Sequence, residues 1–501
     1  MTDLTKTAAA PSGVAEPVDP RRWWALGVIA VAQLMVVLDA SIVNIALPSA
    51  QRDLGISDAD RQWVVTAYTL AFGGLLLLGG RIADYTGRKR AFVIGLIGFA
   101  AASAAGGAAQ SEGMLFAARA CQGAFGALLA PAALSLISVT FTDTKERAKA
   151  FGVYGGISGG GAAIGLILGG VLTEYASWRW CLLVNVPIAI VTALAALRTV
   201  HESRAEKSAQ RYDIPGALLV TGGLVALVYG FTEAAKTGVG WGAASTVIWL
   251  VVAVVLLVGF VVTEARSPHA LLPLRVVLER NRGGAYLSSL LVGAGLFAMF
   301  LFLTYYLQLN LHYSALRSGF AFLPFSGGIV VGAGVASGAL PRIGPKPLLF
   351  VGGIMSVLGL AYLVTLTDGT SWVTHVLPAE ILISIGMGLT FVVTSSLALF
   401  GVDENDSGVA SAMLNTSQQV GGSLGTALLN TLFASAVTSY LTSHARSAAQ
   451  AAHLQPLASI HGYHVAFAVG SGMLLLSTVV ILILVTARQD DLKDIEALPA
   501  G

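Results

Sequence analysis

Stretches of about twenty apolar residues, almost free of charge, follow one another along this chain, and a helix of that length crosses the hydrocarbon core of a bilayer. Fourteen such stretches are predicted as spans: 23–47, 61–80, 91–110, 114–139, 149–172, 180–198, 214–233, 243–263, 283–309, 318–340, 346–367, 374–400, 408–438 and 464–486. Lipid offers the backbone no hydrogen bonds, so stretches of this length read as helices. Charged residues are 11% of the chain, where soluble domains carry about 25%. Such a chain could not cover a folded surface in water, and an all-α integral membrane protein is expected. The first stretch follows Arg21-Arg22 and is too long for a signal-peptide core, so it reads as a retained span.

Lys and Arg placement orients the spans. With the amino terminus in the cytoplasm, 22 of the 29 Lys and Arg fall on cytoplasmic segments and six outside, which are Arg52, Arg61, Arg179, Lys236, Arg317 and Arg446. Both termini are therefore expected in the cytoplasm. Segment 401–407 is anomalous, because it should be cytoplasmic yet carries only acids, Asp403, Glu404 and Asp406.

A weak repeat is visible. GRIADYTGRK (80–89) follows the second span and GALPRIGPK (338–346) the tenth. The copies lie eight spans apart, as expected for two six-helix units with two helices inserted between them. The predicted division is a tail (1–22), an amino-terminal bundle (23–198), an inserted pair with flanking loops (199–282), a carboxy-terminal bundle (283–487) and a tail (488–501).

Few residues inside the spans carry chemistry. Asp39 lies well within the first. A carboxylate at mid-bilayer costs ~2.5–3.5 kcal/mol on insertion scales, so it should face a cavity and hold a partner. Arg119 in the fourth span lies ~8 Å below the outer edge and Asp39 ~12 Å below it, counted at 1.5 Å per residue. The two are expected as neighbours, with the alternative that Arg119 snorkels to the surface. Glu380, in the twelfth span, is the second intramembrane acid, read as a site for a proton or a cation. Glu233 and Glu264 lie at helix ends and are expected to be solvated.

The fifth span carries nine glycines between 152 and 170. Gly156, Gly160, Gly161, Gly165, Gly169 and Gly170 suit close helix approach. In the turn after the second span, Gly87 permits a tight bend and Asp84 can oppose a helix amino terminus. Arg88, Lys89 and Arg90 add a positive patch, which is expected to meet Asp403, Glu404 or Asp406 in a cytoplasmic gate. Asn44, Tyr305, Tyr306, Gln308, Asn415 and Gln418 are candidates for the substrate cavity. Cys121 and Cys181 read as free buried thiols. Four of the eight histidines fall in or beside the Ala-rich outer segment 439–463 at irregular spacing, so no metal is expected there, and the segment reads as disordered or briefly helical.

Together, LDASIVNIALP (38–48), GRIADYTGRK (80–89), RACQG (119–123), the Gly-rich fifth span, WRWCLLVNVPIA (178–189) and NTSQQVGGSLGTA (415–427) resemble the major facilitator superfamily, and within it the fourteen-helix drug/proton antiporters (EmrB/QacA type). The resemblance implies alternating access and proton-driven export of small amphipathic molecules, cationic ones among them. It implies coupling roles for Asp39 and Arg119, and gating roles for Gly80, Asp84, Gly87, Arg88 and Lys89. It also implies a monomer in the cytoplasmic membrane of a bacterium, with no cofactor and no nucleic acid. Ala162 and Leu166 stand where the antiporter motif carries proline, which leaves symport open. Tyr85 replaces the loop's usual Arg. No Walker loop and no HExxH are found, so a gradient must supply the energy. The main reading is multidrug efflux. The alternatives are a dedicated exporter of one natural product or metabolite, a proton symporter and, remotely, a membrane sensor.

Overall fold

A computed structural model describes residues 21–141, 143–203, 213–236, 238–267, 272, 274–402 and 407–488. Among these residues, fourteen long helices succeed one another. They are α1 (Arg22–Leu54), α2 (Trp63–Thr86), α3 (Arg88–Gly107), α4 (Glu112–Thr140), α5 (Thr144–Tyr175), α6 (Trp180–Thr199), α7 (Ile214–Ala235) and α8 (Ala244–Arg266). After a short turn of helix follow α9 (Arg280–Asn310), α10 (Ala315–Ile343), α11 (Pro345–Thr365), α12 (Trp372–Leu399), α13 (Ser407–His444) and α14 (Ala448–Leu484). Among the described residues thirteen are long and apolar enough to cross a membrane, and Gly160–Tyr175 of α5 is a shorter apolar stretch. The architecture is an all-α membrane fold.

Two expectations are corrected. Segment 439–463 is almost wholly helical, since α13 runs to His444 and α14 starts at Ala448. Alanine favours helix whether or not lipid surrounds it. Cys121 is exposed on the surface of α4 rather than buried, while Cys181 is buried.

The helices pack in a pattern that repeats after eight. α1 lies on α5, α2 and α3 on α4, and α3 on α6; α9 lies on α13, α10 and α11 on α12, and α11 on α14. The turns marked by the sequence repeat correspond as well. Gly87 has φ 112° and Gly344 has φ 78°, values that favour glycine. Between the two sets, α7 and α8 form a hairpin, with α7 against α2 and α13.

Two helix pairs make the main contacts between the sets, α2 with α13 and α5 with α10, and α1 adds smaller ones to α9 and α10. We call the end where α1 begins and α14 finishes the basal end, and the other the distal end. Direct hydrogen bonds between the sets cluster toward the distal end: Arg61 Nε to Asn430 Oδ1 (3.1 Å), Asn430 Nδ2 to Asp58 O (2.9 Å), Gln308 Nε2 to Ile45 O (3.0 Å) and Leu316 N to Glu174 Oε2 (3.0 Å). Thr69 and Ser423 share a hydroxyl bond nearer midspan. Toward the basal end several glycines of these helices stand clear of neighbours. A methyl group built on Gly152, Gly156 or Gly160 of α5, or on Gly334 or Gly338 of α10, would meet nothing within 4 Å.

Candidate functional site

Asp39 lies at the middle of α1, where the helix meets α4 and α6. Arg119, two turns into α4, sends Nη1 to Asp39 Oδ2 at 2.6 Å and Nε to Val64 O at 2.9 Å. Its guanidinium carbon stands 4.5 Å from the centre of the Tyr68 ring. Gln122, one turn further, donates through Nε2 to Asp39 Oδ1 at 2.9 Å and to Ser103 Oγ at 2.7 Å, and accepts from Arg119 Nη1 at 2.9 Å. Asn185 of α6 adds a third donor to the carboxylate, Nδ2 to Oδ1 at 2.8 Å. Spacing explains part of this: Arg119 and Gln122 are i and i+3 on one helix face.

The group is fully enclosed: Asp39, Gln122 and Asn185 are 0% exposed and Arg119 is 1% exposed. Arg119 does not snorkel. The sequence expected Asp39 to face a cavity, and the structure corrects that. Its carboxylate is turned into the α1–α6 set and saturated by three side chains, so it needs no water. Breaking such a buried pair from one side costs ~3–5 kcal/mol, because the charge left behind has no partner. What the arrangement can do chemically is exchange one proton for one ion pair. Protonated Asp39 would release Arg119 from its charge partner.

A family model described as Major Facilitator Superfamily matches residues 29–426. The chain belongs to the Major Facilitator Superfamily. It is 51% identical to a puromycin resistance protein of Streptomyces alboniger over 94% of this chain and 93% of that one. It is 39% identical to a cephamycin export protein of Amycolatopsis lactamdurans over 81% and 84%. Among solved structures, it resembles a bacterial homologue of the human lysosomal transporter Spinster, with a TM-score of 0.68 at 13% identity over 95% of this chain and 99% of that one. The chain is thus a multi-pass membrane transporter of the Major Facilitator Superfamily, related to bacterial antibiotic exporters.

The signature turn of this Major Facilitator chain is built around a residue that the sequence did not single out, Glu202. Its Oε1 accepts from Lys89 N at 3.1 Å, and its Oε2 lies 3.7 Å from Arg90 Nε. It therefore sits at the amino terminus of α3, where a negative charge opposes the helix dipole. A side chain at position 87 would strike the Glu202 carboxyl, its first carbon 2.6 Å from Oε1. Gly87 is thus fixed by φ and by space. Arg88 Nε pairs with Asp84 Oδ1 at 3.2 Å, and Lys89 Nζ reaches Leu197 O at 2.8 Å. Gly80 leaves room for Pro131, but neighbouring Gly79 is the tighter contact, against the Ala127 backbone. Asp403, Glu404 and Asp406 lie outside the described residues. Lys89 and Glu202 are 113 residues apart, so no local spacing announces their contact.

The glycines of α5 divide. Gly161, Gly165 and Gly169 seat α1, with side chains there running into Leu34, Ser41 and Ile42, and Gly170 seats Leu316 of α10. Gly156 and Gly160 meet nothing. With Ala162 and Leu166 in place of proline, α5 runs as one helix from Thr144 to Tyr175.

Three cavity candidates are corrected. Tyr305 is 1% and Tyr306 0% exposed. The Tyr305 hydroxyl bonds to Gln51, that of Tyr306 to Thr367 O at 3.1 Å, and Gln308 bonds across to α1. All three belong to the distal closure, because their polar tips find fixed partners there. Asn415 is exposed and Gln418 and Asn44 are half-buried; Asn44 Nδ2 bonds back to Ala40 O at 3.1 Å. A second distal residue escaped the sequence reading. Arg61 is 2% exposed, with its guanidinium carbon 4.1 Å from the centre of the Tyr305 ring and 4.9 Å from that of Phe433. Glu380 is 0% exposed, and neither of its oxygens has a hydrogen-bond partner.

Proposed function

We propose that this transporter exports one natural product of the antibiotic class in exchange for protons. The observation that carries the reading is the end-to-end 51% identity to a puromycin resistance protein. Other relatives point the same way, by name a tetracenomycin C resistance and export protein and a lincomycin resistance protein, both of Streptomyces. These names favour the dedicated exporter over broad multidrug efflux, the main reading of the sequence. Puromycin is the first compound to test.

In this mechanism α1–α6 and α9–α14 are the two rocking bundles, and α7–α8 is the inserted pair. The Lys and Arg bias supports a cytoplasmic basal end, and on that orientation we read this state as open to the cytoplasm and closed outside. Substrate enters between the basal faces, past Asn44, Asn415 and Gln418. Asp39 is held by Arg119 in this state. Proton uptake on Asp39 frees Arg119, and the rearrangement favours the opposite tilt. Gly80, Asp84, Gly87, Arg88 and Lys89 hold the α2–α3 turn while the bundles move, and Gly156, Gly160 and Gly170 let α5 approach α10. The acids 403–406 face the basic turn when the basal side closes. Glu380, buried without a partner, is neutral and holds a second proton. The substrate is small and amphipathic, and a cation would compete for the same acids. One chain holds both bundles, so a monomer suffices.

The test uses inverted membrane vesicles with an imposed proton gradient. Adding puromycin should release protons in vesicles carrying this chain and fail to do so with Asp39→Asn. Puromycin-driven proton movement in the opposite sense would mean symport, and none at all would remove the antibiotic as substrate.

A further inference from the structure

The α7–α8 hairpin follows α2 along most of its length. Gln62 is hydrogen-bonded to Thr232 at the distal end, Gly74 makes room for Thr221 at midspan, and the charge of Arg81 reaches Glu264 at the basal end. There two carboxyls converge. Asp213 caps α7, its Oδ1 accepting from Gly216 N at 2.9 Å. Glu264, in the last turn of α8, accepts through Oε2 from Leu272 N at 2.9 Å. Asp213 is 6% exposed and Glu264 4%, against the expectation that Glu264 is solvated. The remaining oxygen of each, Asp213 Oδ2 and Glu264 Oε1, has no hydrogen-bond partner. Both aim at one point, since a methyl group on Gly216 would lie 2.8 Å from each.

Two ionised carboxylates in this position would repel across a medium with little water, and each would keep an unfilled oxygen. One proton removes both penalties. The protonated carboxyl donates its O–H to the other, and the single negative charge that remains faces Arg81, the described cation that acts on Glu264. We propose that Asp213 and Glu264 hold one proton between them, an acid–carboxylate clasp that ties the base of α7 to the base of α8 beside α2. The clasp is a proton site separate from Asp39 and Glu380, and it stands whether or not the exchange proposed above is correct. While the proton is bound the hairpin base is closed. When rising pH removes it, the two charges repel and the base loosens beside the part of α2 that carries Arg81.

The test is infrared spectroscopy on the full chain in phospholipid vesicles, titrated from about pH 5 to about pH 9. The protonated-carboxyl band should disappear well above the ~4 at which ordinary carboxyls titrate. Asp213→Asn and Glu264→Gln should each remove that band, because an amide fills the facing oxygen without a proton. All spectra are taken in a Glu380→Gln background, so that the proton assigned to Glu380 contributes no band. Absence of the band from that background, or its survival in either variant added to it, overturns the clasp. If one variant does not fold, the other decides. Hydrogen exchange at amides 214–218, corrected for its intrinsic pH dependence, gives a second measure. It should rise by up to about tenfold per pH unit from ~4 to the pH at which the pair loses its proton and level off above it; a flat profile across that range overturns the proposal.

Discussion

The guanidinium of Arg61 lies over the ring of Tyr305, 4.1 Å from its centre, so a cation at the start of α2 is clasped by an aromatic at the end of α9. Asn430 of α13 holds the same guanidinium from a third helix, and Phe433 covers it at 4.9 Å. The bundles are locked here by one buried side chain whose charge cannot return to water without separating them.

Arg61→Ala should therefore release the distal closure. Desolvated cation–π contacts are worth ~2 kcal/mol each, so the distal-open population should rise at least tenfold. Tyr463 of α14 is buried against Phe433, ring centres 5.2 Å apart, and a membrane-impermeant thiol reagent applied to a Tyr463→Cys reporter should react faster in the Arg61→Ala background. Arg61→Lys keeps the charge but not the flat stacking surface, and should fall between the two.

Arg119 and Asp39 should respond unequally to truncation. Arg119→Ala leaves a carboxylate buried with only amide donors, and should lower stability by ~3–5 kcal/mol. Asp39→Asn leaves the Arg119 charge without its anion, but the guanidinium keeps Val64 O, Gln122 Oε1 and the Tyr68 ring, so it should cost less. Thermal unfolding of purified protein would rank them, and Asp39→Asn should lose transport while still folding. Equal destabilisation would mean that those contacts do not hold the Arg119 charge.

Gly165→Val and Gly156→Val differ by one substitution on one helix. A side chain at 165 overlaps Ser41 of α1, whereas one at 156 meets open space. Expression and thermal stability should collapse for the first and stay near wild type for the second. Gly156→Trp should fold yet slow transport, because α5 could no longer approach α10.

Gly87→Ala combines a φ of 112° with a contact on the Glu202 carboxyl. Strain of this kind costs ~1–3 kcal/mol. Transport should fall severalfold, and Glu202→Ala should restore part of the loss in the double variant by clearing the space. No rescue would assign the whole effect to the backbone angle.

Replacing Glu380 with Leu should raise the thermal midpoint, since an unpartnered buried carboxyl is replaced by a side chain of similar volume. If Glu380 carries a transported proton, the same variant should lower the number of protons moved per substrate in reconstituted vesicles.

The sequence alone determined the membrane fold; it pointed to the repeat after eight helices and to Asp39 beside Arg119, with a snorkelling Arg119 left open. Each rests on a signal that works at short range or by counting: twenty apolar residues span a bilayer, a repeated Gly-x-Lys turn marks equivalent places, and two opposite charges in lipid must find each other. What the tertiary structure decided is where those charges face and what completes them. Gln122, Ser103 and Asn185 enclose Asp39 from three helices, Glu202 reaches Lys89 across 113 residues, and Arg61 leaves the aqueous edge to lie between aromatics of the other bundle. Tyr305, Tyr306 and Gln308 read as cavity residues in sequence because aromatic and amide groups suit both a binding wall and a seal. Helix periodicity fixes which residues share a face, but not what that face will meet.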